Sequence, residues 1–147
     1  MKYYKFETVQ RKTAVAETIE RSAASPQEVY EFARDTIRLD EAMTERFIII
    51  LLNSKLRIVG YEVVSIGGLN STSAHPREVF RPAIVHGAHA VICLHNHPSG
   101  DPSPSPEDIK LTDMLVKAGE ILEIDVLDHI IYAEGCYCSL REKGCIR

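Results

Sequence analysis

Runs of apolar residues alternate along the chain with amphipathic segments, and the two patterns predict strands and helices in turn. Residues 47–52, with the sequence FIIILL, contain no polar break and predict a strand buried on both faces. A polar turn at 53–55 separates this segment from a second strand over 56–65, so we expect a hairpin. Further strands are predicted over 88–94, 123–133 and 135–139.

Helix start signals fall between the predicted strands. Ser25, Pro26 and Glu28 spell a capping box, in which the serine and glutamate side chains satisfy free backbone N–H groups. Apolar residues recur at helical spacing after it, and predict a helix over 26–38. The residues before this signal, 1–24, are interpreted as an N-terminal arm or exposed strand.

Two more helices follow in the sequence. Pro76 opens the first of them and Gly87 closes it, and the second is predicted over 106–119. The apolar positions of the last helix are Ile109, Leu111, Met114, Leu115 and Ala118. The alternation of strands and helices predicts a single α/β domain over 25–147.

Composition narrows the classes of function. The chain has 147 residues, too few for a (β/α)₈ barrel of ~250 residues. Seventeen Lys and Arg residues against 21 Asp and Glu residues give a net charge of −4, which argues against broad, charge-driven binding of nucleic acid. No apolar run approaches the ~20 residues that span a membrane, and the N-terminus lacks an apolar signal region. Four cysteines are too few for a disulfide framework, so we expect a reducing, cytoplasmic location.

The segment from His95 to Asp108 carries the candidate chemistry. His95 and His97 are two apart on an extended backbone, so both imidazoles point to one side and can reach one ion. Asp108 adds a carboxylate at the start of the next helix, which leaves a fourth tetrahedral position open, as in catalytic zinc sites. Ser105 and Asp108 also spell a capping box that needs no metal. Spacing alone leaves both interpretations open, and the proline-rich loop between the ligands favours the metal site.

The arrangement His95-x-His97, seven residues, Ser105-x-x-Asp108 is similar to the JAMM motif of MPN+ metallopeptidases. The surrounding sequence, over about 25–147, resembles the RadC-like branch of that superfamily. The resemblance implies a three-layer α/β/α domain with a mixed sheet, of the cytidine-deaminase-like type. It further implies one Zn²⁺ held by His95, His97 and Asp108, with Ser105 as hydrogen-bond partner of the water or the developing oxyanion.

The resemblance also implies a catalytic glutamate at or just before an early strand. Glu45 directly precedes the apolar run at 47–52 and is our candidate for the general base, with Glu41 as its rival. Either residue is otherwise an ordinary solvated charge. Asp128 and His129, on a later strand, are interpreted as a hydrogen-bonding pair in the core, close enough in the pattern to lie near the site.

Two functions are compatible with these residues. The first is a zinc-dependent peptidase or isopeptidase acting on a peptide or protein. The alternative is an accessory protein of DNA repair or recombination, with a structural or vestigial metal site. RadC-like proteins usually carry a helix-hairpin-helix segment before this domain, and only about 24 residues precede the first predicted helix here. We therefore expect weak or no direct binding of nucleic acid, no membrane contact, and a homodimer if strand edges near the N-terminal arm pair.

Overall fold

A five-stranded mixed sheet forms the centre of the protein in the computed structural model, which describes residues 21–67 and 74–146. Its strands are β1 (Arg46–Leu52), β2 (Ile58–Ile66), β3 (Ala90–Asn96), β4 (Asp125–Ala133) and β5 (Cys136–Ser139). Their order across the sheet is β2-β1-β3-β4-β5. Strands β3 and β4 pair in parallel, and the other neighbours pair antiparallel. The predicted hairpin is the β1–β2 pair.

In the described part of the chain, three α-helices accompany the sheet: α1 (Pro26–Phe32), α2 (Pro76–His86) and α3 (Pro106–Leu122). Each begins with a proline in its first turn, where the missing N–H group has no helical partner to lose. The capping box at Ser25 is formed as the sequence predicts, and Ser105 forms a second one. Helix α2 continues without interruption through Pro82.

The first helix is shorter than the predicted span of 26–38. The α-helix ends at Phe32, and the chain continues as a π-helical turn over Ala33–Ile37 and a 3₁₀ turn over Leu39–Glu41. Arg38 lies between the two turns in the left-handed region, with a φ of 60°. The predicted span is therefore helical as far as Ile37, with an α-helical and a π-helical part, and Ala33 and Ile37 of the second part are both buried.

The strands β1 and β3 are buried on both faces, so the sheet lies between two layers of helix. On one face, Ile48, Ile50 and Leu52 of β1 pack with α1. On the other face, Phe47 and Ile49 pack with α2 and α3. This confirms the predicted three-layer α/β/α arrangement with a mixed sheet.

The buried face of α3 contains polar as well as apolar residues. Its buried residues are Asp108, Thr112, Leu115 and Gly119. Of the other apolar positions, Leu111 and Ala118 pack against the core, whereas Ile109 and Met114 are 41% and 42% exposed. On the buried face, Thr112 makes a hydrogen bond to His129 of β4.

The predicted N-terminal arm over 1–24 lies mostly outside the described residues. Of its last residues, Ser22 forms an isolated antiparallel bridge with Arg57, next to the edge strand β2. Within the described residues, no helix is both long and apolar enough to cross a membrane.

Candidate metal centre

The start of β1, the end of β3 and the start of α3 meet at one edge of the sheet. Antiparallel pairing places Phe47 opposite His95, so Glu45, two residues before Phe47, lies beside the end of β3. The turn after β3 and the proline-rich segment that follows lead into α3, whose capping box holds Asp108 at the same edge. Three segments that are distant in the sequence therefore present polar side chains to one point.

The two histidines of the motif face each other at that point. Nε2 of His95 lies 2.9 Å from Nε2 of His97. The His95 side chain is completely buried, and that of His97 is 17% exposed. Phe47 stacks against the His95 ring, with 6.3 Å between ring centroids. The site is therefore covered by apolar surface on the side of His95 and open to solvent on the side of His97.

Two carboxylates complete the cluster. Oxygens of Asp108 lie 3.4 Å from Nε2 of His95 and 3.6 Å from Nε2 of His97. One oxygen of Glu45 lies 3.9 Å from each of the same two nitrogens. Glu45, His95 and His97 each offer a ligand atom within 4.8 Å of the others, a spacing that one metal ion can bridge.

The capping box fixes the orientation of Asp108. Its carboxylate accepts a hydrogen bond from the backbone N–H of Ser105 at 2.7 Å, and its own N–H donates to Oγ of Ser105 at 3.1 Å. Burial raises the pKa of Asp108, but contact with His95 and the bonds from Ser105 outweigh burial and hold this pKa well below its usual range. Asp108 is therefore a charged carboxylate at neutral pH. The capping box and the approach to the histidines, which the sequence offered as alternatives, coexist.

A chain of hydrogen bonds approaches His95 from behind. Nδ1 of His95 lies 2.7 Å from Nε2 of His129, which is completely buried on β4. Nδ1 of His129 lies 2.6 Å from Oγ1 of Thr112, and Thr112 donates its hydroxyl proton to the carbonyl oxygen of Asp108 at 2.6 Å. Burial, assisted by repulsion from His95, lowers the pKa of His129 well below its usual range. The residue behind the candidate ligand is thus a neutral imidazole.

The donor set of the cluster fits a divalent cation. Nδ1 of His97 lies 2.7 Å from the carbonyl oxygen of Asp101, so this nitrogen carries the ring proton and Nε2 presents a lone pair. His95 likewise directs Nε2 to the cluster, opposite two carboxylates. Acceptors gathered in this way repel one another unless a proton or a metal cation lies between them. Two imidazole nitrogens with carboxylate oxygens are ligands that Zn²⁺ binds.

Comparison with known proteins agrees with this geometry. The family model described as the RadC-like JAB domain matches residues 23–145. The chain belongs to this family. The matched residues of this RadC-like JAB domain include the sheet, the three described helices and every side chain of the cluster.

Relatives of this RadC-like JAB domain occur in archaea and bacteria. The chain is similar to a UPF0758 protein of Methanosarcina barkeri, at 47% identity over 97% of this chain and 61% of that protein. For a UPF0758 protein of Shouchella clausii the identity is 44%, over 92% of this chain and 57% of the relative. The chain thus spans about three fifths of the length of these relatives.

The structure separates the two candidate glutamates of the RadC-like JAB domain. Glu45 lies in the cluster, and its side chain is 24% exposed. Glu41 lies in the 3₁₀ turn after α1, where its exposed carboxylate forms an ion pair with Arg38. Of these two glutamates, Glu45 is the one that lies beside the histidines.

The contacts of His129 and Thr112 with the cluster were not predicted from the sequence. His129 and Asp128 were interpreted as a pair, but only the backbone N–H of His129 contacts the Asp128 carboxylate. The His129 ring faces His95, whereas Asp128 binds the hydroxyl of Ser139 at 2.6 Å. Thr112 carried no signal, because a single threonine on a helix is usually exposed. The parallel pairing of β3 with β4, which places Cys93 opposite His129, is what brings this ring to the site.

Proposed function

We propose that this RadC-like JAB domain is a zinc-dependent hydrolase of peptide or isopeptide bonds. The observation that carries the proposal is the convergence of two imidazole Nε2 atoms and two carboxylates at one partly open point. A site with fewer protein ligands than the ion accepts leaves room for water and substrate, which separates catalytic from structural zinc.

Asp108 is the better third ligand, and Glu45 the better base. The Asp108 side chain is 3% exposed, fixed by the capping box, and nearer to both imidazoles than Glu45 is. Glu45 lies farther from them and reaches solvent. A ligand benefits from a fixed position, whereas a base that moves protons must reach the water and the leaving group in turn.

The chemistry then divides between the ion and the side chains. A bound zinc ion supplies Lewis acidity, which makes water a stronger acid and polarises a carbonyl group. Glu45 accepts the proton from water and delivers it to the leaving amine. The hydroxyl of Ser105 accepts a bond from the N–H of Asp108 and keeps its own proton free to stabilise the oxyanion that develops on the substrate.

Elemental analysis of the full chain, purified without added metal, tests the site. We expect close to one zinc per chain, and a large loss in His97→Ala. The matched control is His86→Ala, because His86 is exposed at the end of α2, outside the cluster. Absence of zinc from the unsubstituted chain, or the same zinc content in both variants, would overturn the proposal.

A Glu45→Gln variant tests the division of roles. Hydrolysis of a quenched-fluorescence peptide library, and of an isopeptide-linked version, should fall by about 10²–10⁴-fold while zinc stays bound. Glu41→Gln, whose carboxylate pairs with Arg38 on the surface, should leave both quantities unchanged. Loss of zinc from Glu45→Gln would make Glu45 a ligand and contradict its role as base.

The proposed substrate is a peptide or protein, and we expect weak or no direct binding of nucleic acid. The net charge of −4 supports this choice, because duplex DNA is bound chiefly through basic side chains. Titration with labelled duplex DNA at several salt concentrations provides the check. Binding that weakens steeply with salt would instead support the accessory role in DNA repair.

A further inference from the structure

His129 occupies an unusual place for a buried histidine. It lies on β4 directly opposite Cys93 of β3, with no exposed surface, and its ring centroid is 4.8 Å from that of His95. Phe47 makes a T-shaped contact with the His129 ring, with 5.5 Å between the ring centroids. Both ring nitrogens of His129 have a polar partner in this apolar surrounding.

The direction of each hydrogen bond can be followed from a group that only accepts. The Asp108 carbonyl has no proton to give, so the Thr112 hydroxyl donates to it. Having used its one proton, Thr112 accepts from Nδ1 of His129. The His129 ring has no exposed surface, and an uncompensated charge is disfavoured there, so the ring carries one proton, at Nδ1. Its lone pair at Nε2 accepts the Nδ1 proton of His95.

We propose that His129 and Thr112 are positioning residues that hold His95 in the tautomer protonated at Nδ1, and thereby raise the affinity of the cluster for a divalent cation. The other tautomer would direct an N–H group into the metal position and place two lone pairs against each other between His95 and His129. The inference rests on the proposed function only in using the same cluster. The tautomer of His95 affects metal affinity whether or not the site turns over a substrate.

The arrangement couples both ends of the site through one helix. Thr112 is one turn after Asp108 on α3, and the chain of hydrogen bonds to His95 begins at the Asp108 carbonyl. The carboxylate of the same residue faces His95. A displacement of α3 would therefore move the Asp108 carboxylate and the hydrogen-bonded Thr112 together. Outer partners of metal-binding histidines usually change affinity by about 10–100-fold when removed.

Two pairs of substitutions separate positioning from packing. His129→Leu removes both polar atoms, whereas His129→Gln keeps one donor and one acceptor. Thr112→Val removes the hydroxyl at nearly constant volume, and Thr112→Ser keeps it. We expect His129→Leu and Thr112→Val to weaken Zn²⁺ binding by about 10–100-fold in competition with a chromophoric chelator, and His129→Gln and Thr112→Ser to recover most of it.

A spectroscopic measurement reads the tautomer without any metal. In mildly alkaline buffer, ¹⁵N chemical shifts of the metal-free full chain should show His95 protonated at Nδ1, and mixed tautomers in Thr112→Val. Should His129→Leu fail to fold, the Thr112 pair carries the test. Unchanged zinc affinity and an unchanged His95 tautomer in Thr112→Val would overturn the inference. If the unsubstituted chain binds no zinc, the proposed function fails, while the ¹⁵N shifts still decide the role of His129 and Thr112.

Discussion

Asn96 holds the main chain on both sides of Glu45. Its side-chain oxygen accepts a hydrogen bond from the N–H of Arg46 at 2.8 Å, and its side-chain amide donates to the carbonyl of Thr44 at 3.1 Å. The residue between the two motif histidines thus fixes the position of the candidate base, while its neighbours point to the ligand cluster. One tripeptide at the end of β3 serves both parts of the site.

Replacement of Asn96 by alanine should reduce hydrolysis and leave zinc in place. Both bonds to the Glu45 segment are lost, so the carboxylate no longer has a fixed starting position, whereas the ligands keep their own supports. The matched control is Asn53→Ala. Asn53 accepts bonds from two backbone N–H groups, of Lys55 and Arg57, in the turn at the far end of β1.

Urea denaturation, zinc content and the peptide assay distinguish the two asparagine variants. Each should lose about 1–2 kcal/mol of stability, since each side chain makes two hydrogen bonds. Only Asn96→Ala should lose activity. Equal activity in the two variants would show that the hydrogen bonds of Asn96 to Thr44 and Arg46 do not position Glu45.

Ser25 and Ser105 permit a comparison of two capping boxes in one chain. Both side chains accept from the N–H group three residues later, so serine to alanine at either position should cost about 1 kcal/mol in the free energy of unfolding. Ser105→Ala alone should also lower hydrolysis, because Ser105 lies against the proposed ligand Asp108. A fall in activity that is matched by Ser25→Ala would reduce the role of Ser105 to helix capping.

Gly119 on α3 allows a close approach between the helix and the start of β4. A Cβ atom at this position would lie 2.5 Å from the carbonyl oxygen of Ile124 and 3.3 Å from the Phe80 ring. Gly119→Ala should therefore destabilise the fold by about 1–3 kcal/mol despite its better helix propensity. Gly60→Ala is the control, since a Cβ there meets nothing within 4 Å. Similar urea midpoints for the two variants would contradict the predicted close packing.

The cysteines should differ sharply in reactivity. Complete burial raises the pKa of the Cys93 thiol to about 12, so at pH 8 only ~10⁻⁴ of it is the reactive thiolate. Cys136 is exposed. Iodoacetamide labelling of the native protein, followed by peptide mass spectrometry, should modify Cys136 and leave Cys93 unmodified until denaturant is added. Early modification of Cys93 would mean that the sheet opens near the candidate metal centre.

The sequence predicts those parts of the fold that depend on local pattern. The run at 47–52 identifies β1 because six consecutive apolar residues fit only an element buried on both faces. His95, His97 and Asp108 stand close together in the chain, and a strand end, a stiff loop and a capping box are each visible locally. The α/β class and the candidate ligands could therefore be proposed before the structure was known.

Features that depend on long-range pairing could not be predicted in this way. The buried face of α3 contains Asp108 and Thr112, and an analysis of apolar spacing assigns such polar residues to solvent. His129 reaches His95 through the pairing of β3 with β4, and Asn96 reaches Arg46 across 50 residues of sequence. Nothing near these residues in the chain indicates their partners.

The antiparallel pairing of β1 with β3 has a consequence for folding. Glu45 directly precedes β1, His95 lies on β3 and His129 lies on β4, so the centre exists only after the non-local sheet contacts have formed, which are the slow contacts in folding. The unfolded chain offers a cation little more than an isolated pair of histidines. An ion that binds only the completed sheet stabilises the whole domain by mass action and does not nucleate any one element.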